Sequence, residues 1–260
     1  MHSGEYFTYV TGQATDVGRV RTVNEDAFLS RPEAGLWVVA DGMGGHAAGD
    51  FASDRIVREL FTVGMPASGA DFQARFMERL GRANDAILEH ARSLGQGTVG
   101  ATVVALLIDG QDYACIWAGD SRIYLLRDEV LTQLTRDHTE VQALLDSGSV
   151  TPEQAETWAR KNVITRAIGV TRTPDCDVVG GRLRFGDRFI LCSDGLTGHV
   201  ADAEIAAIVG AHEPQEACER LIALTLERGA KDNVTVIVLQ CLPPLPSGDD
   251  DIEPDPEIVE

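Results

Sequence analysis

The sequence of 260 residues lacks paired cysteines, long apolar runs and a surplus of positive charge. Its five cysteines are scattered without a CxxC pair, which argues against a disulfide framework and against a zinc site. No apolar run approaches the roughly 20 residues needed to cross a bilayer, and the N-terminus lacks the pattern of a signal peptide. We therefore expect no membrane association and a cytoplasmic location.

The shortage of positive charge also limits the possible partners. The chain carries 22 basic against 41 acidic residues, a formal net charge of −19. Nucleic acids and anionic lipids bind through cationic side chains, so this balance argues against both. Divalent cations and basic partner segments fit an acidic surface better.

The chain length suits one sizeable hydrophobic core, and a single domain is expected over residues 1–242. Residues 243–248 contain three prolines and one glycine, and an acidic segment follows them. We expect residues 243–260 to form a disordered tail. The expected oligomeric state is a monomer.

Strands and helices are predicted in blocks along the chain. Apolar residues recur at helical spacing over residues 47–61, 71–94 and 151–160. Runs of β-forming residues separated by turn signals fill residues 98–134, the first of them over 98–108, and a further strand is expected at 188–192. This order predicts an α+β fold and not a doubly wound parallel sheet. The predicted architecture is a central sandwich of two antiparallel β-sheets flanked by helix pairs, a four-layer αββα arrangement.

Four aspartates lie at the ends of apolar β-runs. Asp41, Asp120 and Asp194 each follow such a run, and Asp232 directly precedes the run NVTVIVLQ. A single aspartate beside glycine or serine is more often a turn former than a ligand. Four at equivalent places suggest that the acids converge, and converging carboxylates repel one another unless cations neutralise them.

This pattern predicts a metal-dependent hydrolase. Ligands that are all oxygen favour magnesium or manganese over zinc or copper. Two such ions roughly 4 Å apart can share a water, lower its pKa and hold a phosphate in line for attack. Arg21, four residues before Glu25, would supply the positive fork for the phosphate oxygens.

Eight short strings in a fixed order resemble the metal-dependent protein phosphatase family, also called the type 2C serine/threonine phosphatases, and especially its compact bacterial members. They are RTVNED at 21–26, DGMGGHAAG at 41–49, GATVV at 100–104, GDSRIY at 119–124, LTRDHT at 134–139, NVITRAIG at 162–169, GDRFILCSDGL at 186–196 and KDNVTVIV at 231–238. The resemblance covers most of the chain. It implies a two-sheet sandwich with a dinuclear magnesium or manganese site at one end.

The resemblance also assigns metal ligands. By it, Asp41 bridges both ions, Gly42 offers its backbone carbonyl to one of them, and Asp194 with Asp232 completes the other. Asp120, together with Asp194, matches the position that holds a third, weaker ion in bacterial relatives.

The same resemblance implies the roles of the remaining site residues and the reaction. Glu25 and Asp26 would act through bound waters, and Arg21 would bind the substrate phosphate beside the catalytic Asp41. The implied activity is hydrolysis of phosphoserine and phosphothreonine in proteins by direct attack of a water activated between the two ions. Phosphorylated proteins and an opposing serine/threonine kinase are the implied partners.

Several positions depart from the family pattern or admit a second interpretation. Met43 stands where many eukaryotic members carry a histidine as the proposed general acid, and His46 lies a turn further along. His138 is predicted to fix the chain by hydrogen bonds. Ser121 and Ser193 lack the GxSxG elbow of a nucleophilic serine, which argues against covalent catalysis. The region between Thr139 and Asn162, the family's flap, reads TWARK where relatives commonly carry a His-Pro pair.

Two rival functions remain open at the level of the sequence. One is an inactive member of the same fold that binds a phosphoprotein without hydrolysing it. The other is a metal-dependent phosphatase for a small metabolite or for nucleic acid, and the negative net charge disfavours the nucleic acid.

Overall fold

The structure is a computed structural model that describes residues 7–44, 48–95 and 97–244. It contains two antiparallel sheets. The first sheet has five strands in the spatial order β1 (Thr8–Asp16), β11 (Val234–Leu242), β10 (Arg188–Cys192), β7 (Arg122–Arg127) and β8 (Val130–Gln133). The second has the order β2 (Asp26–Arg31), β3 (Leu36–Met43), β5 (Val103–Asp109), β6 (Asp112–Ala118) and β9 (Asp177–Arg182), and the short β4 (Gly100–Ala101) pairs with the end of β3.

Helices cover the outer faces of both sheets. The helices α1 (Gly49–Phe61) and α2 (Gly69–Leu94) pack on the second sheet, and α5 (Asp194–Thr197), α6 (Asp202–Ala211) and α7 (Pro214–Glu227) pack on the first. Two short helices, α3 (Glu140–Asp146) and α4 (Pro152–Glu156), lie in the flap, which we define as residues 139–162. Among the described residues, no helix combines the length and the apolar character that a bilayer span requires.

Alternating side chains divide the core into three apolar layers. On β3, Leu36, Val38 and Ala40 face α1 and α2. Trp37 and Val39, between them in sequence, face the first sheet. Because the strand is buried on both faces, its sequence is a continuous apolar run and not an alternating one. The layers confirm the predicted four-layer αββα sandwich.

Three local expectations from the sequence differ from the structure. The strand β2 was not predicted, because it is an edge strand in which only Leu29 is buried. The helix expected over 151–160 ends at Glu156, and Ala155 is its one buried residue, so no apolar face extends it. Thr102 interrupts the strand expected over 98–108, because its backbone and side chain both bond to Asp41.

Candidate active site

Two site acids of the second sheet lie side by side. Asp26 at the start of β2 is paired in register with Asp41 near the end of β3. The main chain of Asp41 is held by Thr102, whose amide donates to the Asp41 carbonyl at 2.8 Å and whose hydroxyl accepts from the Asp41 amide at 3.3 Å. Thr102 is fixed in turn by a 2.7 Å hydrogen bond between its hydroxyl and that of Ser121. Asp41 therefore projects from a rigid strand end.

The first sheet brings two further acids to the same end of the sandwich. Asp194 follows β10 and Asp232 precedes β11, and these antiparallel strands are neighbours. The buried Ser193 joins the two sheets, since its hydroxyl accepts from the Thr235 amide at 3.0 Å and donates to Asp26 Oδ2 at 2.8 Å. Asp26 of the second sheet is thus linked to the first sheet through the hydroxyl of the residue that directly precedes Asp194.

His138 positions the turn that carries Asp120. Its Nδ1 accepts a 3.2 Å hydrogen bond from the Gly119 amide, and its own amide donates to the Gly119 carbonyl at 2.9 Å. The His138 carbonyl accepts from Thr165 at 2.7 Å, and its Nε2 lies 3.1 Å from Asp177 Oδ2. The prediction that His138 fixes the chain by hydrogen bonds is confirmed.

Arg21 reaches the site from the loop between β1 and β2. Its Nη2 donates to Asp232 Oδ2 at 2.7 Å, and the two side chains remain 50% and 38% exposed. The buried Asn233 holds this loop: its Nδ2 donates to the carbonyls of Val17 and Val23 at 2.9 and 3.0 Å, and its Oδ1 accepts from the Glu25 amide at 2.8 Å. Arg21 is therefore anchored next to the acids and is still open to solvent.

His199 connects the two loops that carry Asp194 and Asp232. Its Nδ1 lies 3.0 Å from the Gly195 carbonyl and its Nε2 lies 3.3 Å from the Lys231 amide. Because Nε2 must accept from an amide, the proton sits on Nδ1 and donates to the carbonyl. One neutral ring thus ties together the neighbours of two site acids.

Burial and mutual repulsion raise the pKa values of four acids. Burial raises the pKa of Asp41 well above its usual range, and the charges of Asp26 and Asp194 add to the shift. Burial likewise raises the pKa of Asp26 to about 7, against opposing hydrogen bonds such as that from Ser193. The pKa of Asp120 rises to about 7 and that of Asp194 also rises, in both cases first through burial and then through a neighbouring aspartate.

The donor set fits divalent cations. Clustered carboxylates without a neutralising charge are destabilised, and a hard cation with oxygen ligands removes the conflict. Asp26 Oδ1 is buried and has no hydrogen-bond partner, as expected of an atom that awaits a water or an ion. Within the described ranges no three acidic, histidine or cysteine side chains already form a coordination cluster, and the carboxylate of Asp232 is engaged by Arg21.

The remaining residues singled out from the sequence are Gly42, Glu25, Met43 and His46, and the first three lie in closely packed parts of the chain. At Gly42 a Cβ atom would collide with the Gly49 carbonyl at the start of α1, so only glycine fits there. Glu25 places its carboxylate against Gly49, at the end of the helix that favours negative charge. Met43 approaches Gly100 with its methyl group and offers no proton donor. His46 lies outside the described residues.

The site acids open into a cleft of about 640 Å³ below the flap. Asp120, Asp194 and Asp232 lie on one side of it, and flap residues such as Gln142 and Ala155 lie on another. The cleft opens these three acids to solvent.

The bracing residues were not identified as such from the sequence. They are four polar residues that are buried or partly buried: Thr102, Ser193, His199 and Asn233. Three of them lie within five positions of a site acid, and Thr102 bonds to a site acid across the sheet. A polar residue between an apolar strand and a site aspartate is the signal that could have identified Ser193 and Asn233. For Thr102 and His199 no such local signal exists.

Comparison with known proteins identifies the family of this two-sheet sandwich. The family model described as "Protein phosphatase 2C" matches residues 17–143. The chain is 34% identical over 235 residues to the serine/threonine phosphatase stp of Listeria innocua, a match that covers 87% of this chain and 93% of that protein. The chain belongs to the protein phosphatase 2C family.

Two further comparisons, one with a curated relative and one with a solved structure, give the extent of the similarity. The serine/threonine protein phosphatase PstP of Mycobacterium tuberculosis is 40% identical over 228 residues, which is 86% of this chain. This chain spans only 43% of the length of that relative. The solved catalytic domain of PstP in complex with two manganese ions superposes with a TM-score of 0.82 at 36% identity, covering 91% of this chain and 99% of that one.

Proposed function

We propose that this chain is a protein serine/threonine phosphatase that hydrolyses phosphoserine and phosphothreonine with two magnesium or manganese ions. The observation that carries the proposal is the meeting of Asp26, Asp41, Asp194 and Asp232 from four separate strand ends beside Arg21. The names of the relatives support the activity, and the two manganese ions of the PstP domain support the cofactor.

In this proposal the ligands are those that the sequence predicted. Asp41 would contribute to both ions, the Gly42 carbonyl would serve one of them, and Asp194 with Asp232 would serve the other. Asp120 and Asp194 would hold a third, weaker ion. Divalent cations in such a site supply charge for the phosphate oxygens and lower the pKa of a water.

The protein's own groups determine how the ester is cleaved. Water attacks phosphorus, the bond to the serine or threonine oxygen breaks, and that oxygen leaves with the proton that the attacking water gives up. The hydroxyls of Ser193 and Ser121 are buried and hydrogen-bonded within the protein, which argues against a covalent phosphoenzyme. Asp26 and Glu25 orient bound water, because Asp26 Oδ1 has no partner within the protein.

Arg21 binds the substrate phosphate. Its guanidinium is half exposed at the mouth of the site and already engages a carboxylate oxygen of Asp232. A phosphate offers the same oxygen geometry with more charge, so Arg21 would exchange the Asp232 carboxylate for the substrate phosphate.

The proposal extends to the location, the oligomeric state and the cellular role of the chain. We propose a cytoplasmic monomer with one domain over residues 1–242, which reverses the action of a serine/threonine kinase in bacterial signalling. All five cysteines are free thiols, and four of them are buried, which suits a reducing compartment. The tail from residue 245 lies outside the described residues.

The test is hydrolysis of phosphothreonine peptides and p-nitrophenyl phosphate with manganese or with EDTA. We expect turnover with manganese only, and a loss of at least about 100-fold in kcat in the Asp41→Asn and Asp232→Asn variants. Asp85→Asn on α2 removes an exposed carboxylate that does not line the cleft and should leave kcat unchanged.

The rival functions give different results in the same assay. Binding of phosphopeptides without turnover at any manganese concentration would indicate an inactive, phosphoprotein-binding member of the family. Faster hydrolysis of sugar phosphates than of phosphopeptides would indicate a metabolite phosphatase. Turnover that persists in EDTA would contradict the proposed mechanism altogether.

A further inference from the structure

Lysine is rare in this chain and is concentrated in the cleft beside the site acids. The chain has two lysines, Lys161 and Lys231, and both line this cleft. Both residues are exposed. Lys231 directly precedes Asp232, whereas Lys161 lies near the end of the flap, so the two approach the cleft from different segments of the chain.

The other basic groups of the cleft are already neutralised. Arg122 forks onto Asp137 with its Nη2 at 2.7 Å from Oδ2, and Arg228 pairs with Glu204, also at 2.7 Å. These guanidinium groups have protein carboxylates as partners and are poorly available to a ligand.

The two lysines have no such partner among the described residues. Beside Lys231, the carboxylate of Asp232 is taken by Arg21, and beside Lys161, the neighbouring Arg160 pairs with Glu140 at 2.9 Å. Glu156 also lines the cleft, is exposed and is not ion-paired within the described part of the chain. Once the site aspartates hold cations, the ammonium groups of the two lysines are the positive charges of the cleft that can bind a ligand.

We propose that Lys161 and Lys231 form a second anion subsite, which binds a negatively charged side chain next to the phosphorylated residue of the substrate. This inference rests on the proposed phosphatase function. On a chain with a net charge of −19, an acidic peptide is repelled by most of the surface, and a local pair of ammonium groups offsets that repulsion where the peptide must bind. The ligand is a carboxylate or a second phosphate on the same peptide.

The test compares kcat/KM for phosphothreonine peptides whose flanking residues are alanine, glutamate, a second phosphothreonine or lysine. We expect the wild type to prefer the glutamate and diphosphorylated peptides over the alanine peptide by about fivefold or more, since each exposed ion pair contributes up to about fivefold. The larger of the two preferences identifies the natural anion. Raising the salt concentration to about 0.5 M should reduce both preferences.

The variants are judged by the ratio of kcat/KM for the acidic peptide to that for the alanine peptide, so a general loss of activity cancels. Lys161→Gln and Lys231→Gln should each lower this ratio about two- to fivefold, and the double variant should bring it near one. Arg172→Gln removes an exposed charge of the same sign outside the cleft and should leave the ratio unchanged. A ratio near one in the wild type, or one that the double variant preserves, overturns the inference.

A binding measurement separates this failure from failure of the proposed function. Affinities for the same peptides, made with a non-hydrolysable phosphonate and measured by fluorescence anisotropy, do not depend on turnover. Absent hydrolysis with retained, lysine-dependent preference for the acidic peptide would contradict the phosphatase function and support the subsite. Normal hydrolysis of the alanine peptide without any acidic preference would do the opposite.

Discussion

Neutral side chains hold the acidic residues of the site in position. Thr102 fixes the main chain of Asp41, Ser193 bonds to Asp26, and His199 ties the loops of Asp194 and Asp232 together. Neutral groups can orient a carboxylate or its loop without neutralising it, so its charge remains available to a cation. The metal affinity should therefore depend on residues that touch no metal.

His199 gives the sharpest test of this bracing role. His199→Ala removes both hydrogen bonds between the two loops, and we expect the affinity for manganese to fall about 10- to 100-fold. Isothermal titration calorimetry measures this affinity directly. The control is His212→Ala, which removes a histidine that faces Glu216 away from the site and should leave the affinity unchanged. Equal affinities in the two variants would show that His199 is not a positioning residue.

The sequence indicated the acids but not the residues that hold them. Asp41, Asp120 and Asp194 each follow an apolar run, so each is visible as the point where a local pattern ends. His199 bonds to an amide 32 positions away, and Asn233 bonds to carbonyls more than 200 positions away. Such pairs depend on tertiary structure, which periodicity does not report.

At the scale of elements, the flap differs from the rest of the fold. No residue of α3 is buried, and α4 buries Ala155 alone. By contrast, β10 lies between two neighbouring strands and buries four of its five residues. Elements with little buried apolar surface open at low free-energy cost, so the flap should be the least protected part of the cleft.

Hydrogen exchange measured by mass spectrometry tests this difference. We expect peptides covering residues 140–160 to exchange at least about 100-fold faster than peptides covering β10 and β11, because the helices of the flap lack a buried face. The peptide covering α7, a helix with six buried residues, serves as the helical control and should exchange slowly. Protection of the flap equal to that of α7 would contradict the account.

The elements were predicted best where burial is strongest. The strand expected at Arg188–Cys192 has those bounds in the structure, since it is central in its sheet and continuously apolar. The edge strand β2 was missed, because one buried leucine in six residues leaves no pattern. The order in which the strands pair was not predicted, because it depends on contacts between segments far apart in the chain.

At the scale of the whole molecule, the acidic site makes stability depend on pH. Burial raises the pKa values of Asp26 and Asp120 to about 7 in the folded protein, above the values of an unfolded chain near 4. The folded state then binds more protons than the unfolded state between these values. The free energy of unfolding of the metal-free protein should therefore fall as the pH rises from about 4 to about 7.

Thermal unfolding with and without manganese tests this dependence. In EDTA the melting temperature should be lower at pH 8 than at pH 5.5. Manganese at about 100 times its Kd should raise it by about 5 to 10 °C at pH 8, and by less at pH 5.5, where protons compete for the carboxylates. Asp41→Asn should lose most of the gain from manganese. A metal-free protein that is more stable at pH 8 than at pH 5.5 would contradict the electrostatic account.

The central claim is that acids from both sheets meet to bind a pair of divalent cations, and the stoichiometry of manganese binding tests it most directly. Calorimetric titration of the metal-free protein at pH 8 should show two tightly bound ions per chain. In Asp41→Asn, which changes the residue assigned to both ions, tight binding of the pair should be lost. A wild-type chain that binds no manganese, or an Asp41→Asn variant that still binds two ions with unchanged affinity, would contradict the account.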